Sequence, residues 1–460
     1  MIQPIFNQII SSEFYWFAFH AFKHLNPGQS LSNAWHLRYL CDLVTNIEKT
    51  SQRIIIINIP PRNLKSTLIS VLWPAWLLGK DPAKRIMVAS YCQKLSNKLS
   101  LDTRFIMSCP WYKSAFPKLE IAQDQNEKHK FMTSQQGFRM AVSTSGMVTG
   151  EGGDILILDD PHNPREIFSD KLRNKTINWF EQVFSSRLNN QKKGKIILVM
   201  QRLHFQDLAG YLIEKGGCRV INLPIIFDRN QEVYIGNKLK TIAKGNLLDP
   251  ERFDLSAIEN IRMQLGQAAF SAQYLGTPIL MSGNFVKKDQ MNFSEDLPSQ
   301  PDQIIQSWDS ASCKGSNSDY SVCTTWFIKD EKFYLVDLFR EKCNFTELKQ
   351  AVQNCWKKHE PDLILVEGKS SGLAIFDEMV AQNMPAVKIS PKEDKVSRLM
   401  HVLCYFENRR VVFCQGAYNF VELQNELLQF PQGAHDDQVD SITQFLLWFK
   451  HRTHLNIRKI

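Results

Sequence analysis

The chain has 460 residues, 43% hydrophobic and 22% charged. That length allows about two to four domains and more than one buried core, so stability needs neither disulfides nor a structural metal. The composition excludes a disordered or fibrous chain. Fifty-five Lys and Arg against 47 Asp and Glu leave a net charge of +8, which permits a polyanionic partner without requiring one.

No apolar run approaches the roughly 20 residues that span a bilayer. The N-terminal MIQPIFNQIISSEFYW has no basic start and no clean cleavage site, so neither a membrane span nor a signal peptide is expected. The ten cysteines are irregularly spaced, with no Cys-x-x-Cys pair. They read as reduced thiols in a cytosolic compartment, not as a disulfide scaffold or a zinc site.

In chain order, residues 1–50 are helical and aromatic-rich. Arg53–Ile59, a run of Ile ending at Pro60-Pro61, is a buried strand. Ser66–Leu78 reads as a helix, Arg85–Ser90 as a strand, and the following stretch to about Met107 as a helix. Ile155–Leu158 and Ile196–Val199 are two more short apolar strands. Such alternation predicts an α/β domain with a doubly wound, mainly parallel sheet. After Leu223 the pattern weakens: 228–250 is polar and irregular, 254–275 is helical, and 280–303 is broken by Gly and Pro. A second α/β pattern follows. It has a strand at Ile304–Asp309, a hairpin at Tyr320–Phe327 and Lys332–Phe339, a helix at Phe345–His359, a strand at Asp362–Glu367 and a last helix from Asp437 to Phe449. The expected division is 1–280 (with 225–280 a small subdomain), a linker at 281–303, a second domain at 304–450 and a basic tail at 451–460.

Three strand ends of the first domain carry chemistry. Pro60-Pro61-Arg62-Asn63-Leu64-Lys65-Ser66-Thr67 joins a buried strand to a helix, the context of a phosphate-binding loop. The generic glycine positions hold Ile59 and Leu64. Asp159 and Asp160 end the strand Ile155–Leu158. Carboxylates delivered to that edge suit a Mg²⁺ site and the orientation of an attacking water. Gln201 follows the strand Ile196–Val199, where a sensor of the terminal phosphate belongs.

PPRNLKST, GEGGDILILDDP and LVMQRLHFQDLAGYL together resemble the ATPase motifs of tailed-phage (or prophage) large terminase subunits. The resemblance implies ATP with Mg²⁺, bound by Arg62, Lys65, Ser66, Thr67 and Asp159, with Asp160 activating water and Gln201 coupling hydrolysis to motion. An arginine finger is expected too, with Arg104 the first candidate and Arg139 the second. Leu64 stands in place of the usual glycine, Glu151 where Arg is frequent, and Gln206 where an acid is common.

The second domain offers Asp309 and Glu367 at strand ends and Asp436 before the last helix. Asp437 and Asp440 are alternatives for that last role, Asp319 is a weaker accessory, and His435 either meets phosphate or packs the helix start. Clustered acids repel unless cations occupy the site. Two Mg²⁺ or Mn²⁺ about 4 Å apart would cut a phosphodiester. The order of elements resembles the RNase H-like nuclease domain of the same family, with Asp309, Glu367, Asp436 and Asp437 as metal ligands.

The resemblance implies an ATP-driven double-stranded DNA translocase joined to a nuclease that cuts concatemers in the host cytoplasm. Its implied partners are a small terminase subunit, a procapsid portal and further copies of itself in a ring, and its DNA contacts should be phosphate-directed. The alternatives are a repair helicase/nuclease and an inactive prophage remnant that binds DNA.

Overall fold

The computed structural model describes residues 2–29, 31–146, 148, 150–279, 285–311, 319–368, 371–391, 393–414, 420–433 and 435–457. Residues 281–284 of the expected linker, Asn317-Ser318 and the last three residues of the tail lie outside them. The chain forms two compact units, 1–261 with 268–280, and 262–267 with 281–460.

The first unit holds β1 (Ile54–Asn58), β2 (Arg85–Ser90), β3 (Ile121–Asn126), β4 (Lys130–Thr133), β5 (Phe138–Ser143), β6 (Ile155–Asp159), β7 (Lys195–Met200) and β8 (Cys218–Asn222). They form one sheet in the order β3-β4-β5-β2-β6-β7-β1-β8. From β5 to β8 all neighbours are parallel. At the other edge β3, β4 and β5 run antiparallel to one another. The inner strands are Ile and Leu runs because helices cover both faces and every side chain is buried. Ile55–Ile57, Leu156–Leu158 and Ile196–Val199 are indeed inaccessible. A hairpin, β9 (Gln231–Ile235) with β10 (Lys238–Ile242), stands outside this sheet in the stretch read as irregular.

Register decides what meets at the sheet's C-terminal edge. Val199 of β7 pairs with Ile57 on one side and Asp159 on the other. The loop after β1 and the acids at the end of β6 therefore flank the same strand. The helix after the loop starts with π-wound turns at Thr67–Leu72 and continues as α from Trp73 to Lys80. Pro74 lies where the α segment continues the π-wound turns and has no N–H to donate, and Ser70 O, four residues back, accepts from Arg139 Nη2 at 3.2 Å.

The second unit holds β11 (Asn292–Ser294), β12 (Gln303–Asp309), β13 (Ser321–Lys329), β14 (Lys332–Glu341), β15 (Leu363–Glu367), β16 (Ala386–Ile389) and β17 (Val411–Cys414). Their order is β11-β17-β14-β13-β12-β15-β16. The span read as a linker is thus partly structural: β11 pairs with β17, and Val286 and Met291 are buried in this unit's core. The basic tail is not a separate segment either, since the last helix runs from Asp437 to Ile457.

β12 is antiparallel to β13 and parallel to β15, with Trp308 opposite Val366. One residue further on, Asp309 and Glu367 stand side by side. The last helix is clasped to β12 by buried polar groups. Ser307 Oγ donates to Ser441 O at 2.8 Å, Ser441 Oγ donates to Ser307 O at 2.7 Å, and Gln444 Nε2 donates to Ser307 Oγ at 3.0 Å. Trp326 stacks on Phe445 at 4.6 Å and fixes the helix's rotation. Asp437, one turn before Ser441, is thereby held over the strand end.

Candidate functional site

In the first unit Ser66 Oγ donates to Asp159 Oδ1 at 2.9 Å, and Lys65 Nζ lies 2.8 Å from Asp160 Oδ2. Asp160 Oδ1 accepts the Gln201 amide at 3.1 Å, so the ends of β6 and β7 and the loop after β1 are bonded together. Thr67 opens the helix and Arg62 is exposed on the loop. Asn63 is buried and closes the turn by donating to Pro60 O and Pro61 O. Arg62 and Leu64 take left-handed conformations, with φ of 66° and 57°. The position where related loops carry glycine is therefore a glycine-type position that Leu64 fills at a cost.

Burial raises the Asp159 pKa to about 6, and Asp160 adds to the rise, while Lys65, Ser70 and Ser66 oppose it. Burial alone would lower the Lys65 pKa, but Asp160 and Asp159 outweigh it and hold it above the usual value. Asp159 is fully buried, with the Ser66 and Ser70 hydroxyls beside its carboxylate. A carboxylate beside a serine hydroxyl is a donor set that suits Mg²⁺. Tyr274 packs near enough for Arg62 and Lys65 to favour its ionised form against burial, a neighbour the sequence did not reveal.

Arg104 is engaged by Asn126, whereas Arg139 is buried within reach of the Asp159 charge, its Nε and Nη1 unpartnered among the described residues. Arg104 Nη1 donates to Asn126 O at 2.8 Å and to Asn126 Oδ1 at 2.7 Å. Arg139, fully buried in β5, donates to Ser70 O at 3.2 Å, and burial lowers its pKa to about 9. The two acidic or amide departures have local partners: Glu151 pairs with Lys130, and Gln206 Oε1 accepts from Arg173 at 2.9 Å. The acid that shapes the segment after Gln201 is Asp207. It takes Arg202 Nε through both oxygens at 2.9 and 3.0 Å and caps the next helix through Gly210 N at 2.8 Å.

In the second unit Asp309 hydrogen-bonds Glu367, and its pKa stands well above the ordinary value. Burial is the main cause, followed by Glu367, Asp440 and Asp437. Two adjacent carboxylates at a buried strand end share a proton or a cation, since both cannot be ionised alone. Glycine at 372 is required here, because a Cβ would lie 1.8 Å from Glu367 O. Asp437 Oδ2 accepts the Tyr320 amide at 3.3 Å. Asp436 is turned elsewhere, with Oδ1 2.6 Å from Lys395 Nζ. His435 packs edge-on against Tyr320 at 5.1 Å. Among the described residues no three His, Cys, Asp or Glu side chains already converge on one ion-sized point. The donor set is all oxygen, which suits Mg²⁺ or Mn²⁺ over softer metals.

Sequence reasoning missed Glu426. This buried acid accepts the Gln438 and Val439 amides at 2.6 and 3.0 Å and so caps the last helix. Its distance in sequence from that helix hid it.

Comparison with known proteins bears on the fold of both units. Residues 306–448 match the family model described as the terminase RNaseH-like domain. The chain is 21% identical over 243 residues to the large terminase subunit of Enterobacteria phage T3, a match covering 48% of this chain and only 40% of that protein. The large terminase of a thermophilic bacteriophage superposes with a TM-score of 0.56 at 11% identity, over 91% of this chain and 98% of that one. The complex of that same terminase with ATP-gamma-S gives 0.53 at 11% identity, over 93% and 97%. The chain is therefore similar in its α/β fold to phage large terminase subunits, and its residues 306–448 match the terminase RNaseH-like domain.

Proposed function

We propose that the protein is the large subunit of a DNA-packaging motor. The first unit hydrolyses ATP to drive double-stranded DNA into a procapsid, and the second cuts concatemeric DNA. The observation that supports this best is the bonded cluster Lys65–Asp160, Ser66–Asp159 and Gln201–Asp160 at one sheet edge. It occurs in a chain whose other sheet ends in Asp309 and Glu367, with Asp437 at the start of the last helix near them.

In the first site Arg62, Lys65, Ser66 and Thr67 bind nucleotide phosphates, and Ser66 with Asp159 holds Mg²⁺, which neutralises phosphate charge when bound. Lys65 rests on Asp160; a terminal phosphate draws the ammonium away and frees that carboxylate to accept a proton from the attacking water. Because Asp160 also holds the Gln201 amide, the change passes to the end of β7. In the second site Asp309, Glu367 and Asp437, with Asp436 beside them, would hold Mg²⁺ or Mn²⁺, and the ion would activate water and stabilise the leaving oxygen. Cutting would use two such ions. The partners are duplex DNA, a small terminase subunit, a portal and copies of the chain in a ring, all in the host cytoplasm.

ATP turnover by the intact protein, with DNA and procapsids, is expected to vanish in Lys65→Ala. Plasmid nicking in Mn²⁺ is expected to vanish in Asp309→Ala. No turnover by wild type under those conditions would refute the motor, and equal nicking by wild type and variant would refute the nuclease.

A further inference from the structure

The helix Lys395–Glu407 begins with Lys395, has Arg398 one turn on, and carries no acid in its first turn. Both cations reach the acids of the last helix. Lys395 Nζ lies 2.6 Å from Asp436 Oδ1 and 2.7 Å from Asp440 Oδ2. Arg398 Nη2 lies 2.7 Å from Asp440 Oδ1, in a pair only 5–6% exposed. Both oxygens of Asp440 and one of Asp436 are thus spent on protein cations. Asp437 is not: it accepts the Tyr320 amide. Its charge, with those of Glu367 and Asp440, acts on Asp309.

We propose that Lys395 and Arg398 are built-in cations of the nuclease site that hold Asp436 and Asp440, leaving a divalent ion to Asp309, Glu367 and Asp437 in the DNA-free protein. The inference rests on the nuclease reading above. Its physical basis is charge. Among the described residues, Lys395 and Arg398 take both oxygens of Asp440 and one of Asp436. A carboxylate already bonded to an ammonium has lost most of its attraction for a second. Lys395 is a positioning residue: it sorts the acids and so sets how many ions the site takes.

The test counts Mn²⁺ bound to the full chain without nucleotide or DNA, from the electron paramagnetic resonance signal of the free ion. Ions missing in Asp309→Asn are those of the nuclease site. Wild type is expected to hold one such ion and Asp437→Asn none. Asp436→Asn should hold one, with affinity within about threefold of wild type. Lys395→Arg should hold one, and Lys395→Met two, because Asp436 and the Oδ2 of Asp440 are released. Two ions in wild type, loss of the ion in Asp436→Asn, or an unchanged count in Lys395→Met would each overturn the proposal. Should Lys395→Met lose its circular dichroism signal, the Asp436→Asn and Asp437→Asn counts decide alone. Plasmid nicking separates the two levels. Nicking that Asp309→Asn abolishes, with the wrong ion pattern, overturns only the sorting by Lys395. No nicking and no ion lost in Asp309→Asn overturns the nuclease reading and this proposal together.

Discussion

Leu64 offers a sharp test of how this phosphate loop is built. Its φ of 57° puts a branched side chain in the left-handed region at the position where related loops carry glycine. That conformation costs a non-glycine residue about 1 kcal/mol or somewhat more. Leu64→Gly and Leu64→Ala lose nearly the same partly buried side chain, so the burial term of about 1 kcal/mol cancels between them. The alanine keeps the backbone penalty and the glycine drops it. Glycine is therefore expected to be the more stable variant by about 1 kcal/mol, the reverse of the 0.5–1 kcal/mol by which glycine falls below alanine in a regular helix. In a unit of this size that is a difference of about 2–4 °C in melting temperature, readable by calorimetry or urea titration of the two variants side by side. Leu64→Gly should also keep its ATP turnover within about fivefold of wild type, the rate equivalent of 1 kcal/mol. An alanine variant as stable as the glycine variant would refute the strain argument. A wild type with no turnover, restored by Leu64→Gly, would instead mark Leu64 as a lesion.

Three other outcomes follow from particular contacts. Asp207→Ala leaves the buried Arg202 guanidinium unpaired and uncaps the helix Leu208–Lys215; a loss of about 3–5 kcal/mol in urea unfolding is expected, and a loss below 1 kcal/mol would contradict the role given to this pair. Gly210→Ala places a Cβ 1.9 Å from Phe205 O, so a drop of several °C in melting temperature is expected, and an unchanged value would show that the segment after Gln201 yields freely. The His162 imidazole, buried and accepting the Leu208 amide at 2.9 Å, has its pKa lowered by burial to about 4. A folded value below the unfolded 6.5 means its contribution is whole above pH 6.5 and is lost as pH falls through 4. Roughly 3 kcal/mol is at stake; stability measured from pH 7 to 4 should fall less steeply in His162→Gln, and parallel curves would refute the assignment.

The parts of the fold legible in the sequence were those where burial is complete. β1, β6 and β7 sit inside a sheet covered on both faces, so they read as Ile and Leu runs bounded by Pro, Asp or polar turns. β3, at the sheet's edge, reads IAQDQN and leaves its last four side chains exposed. Nothing in such a segment separates strand from loop until β4 is there to pair with it. The hairpin of β9 and β10 is polar for the same reason. The acids at strand ends were legible because a carboxylate closing an apolar run is a local pattern. Asp207, Glu426 and Tyr274 were not, since each acts on a segment that only tertiary packing brings near.

Lys395 is the instructive case, because its local signal was present and pointed the wrong way. A lysine at the first position of a helix opposes the positive end of the helix dipole, at a cost of a few tenths of a kcal/mol or more. Arg398 adds a second cation within the same turn, and no acid in that turn offsets them. Read alone, DKVSRLM is a slightly poor helix start with Asp394 as its cap. The structure supplies the missing term: Asp436 and Asp440 arrive from another helix and outweigh the dipole at 2.6–2.7 Å. Those two acids stand at the start of their own helix, where acids are favoured, and the cations opposite relieve their mutual repulsion. The basic half of the constellation is unfavourable where it stands in the sequence, and the acidic half supplies what it lacks. A local rule broken in the sequence and offset across a tertiary contact is what a functional site leaves, and it directs mutagenesis to Lys395 and Arg398 as firmly as to the acids they hold.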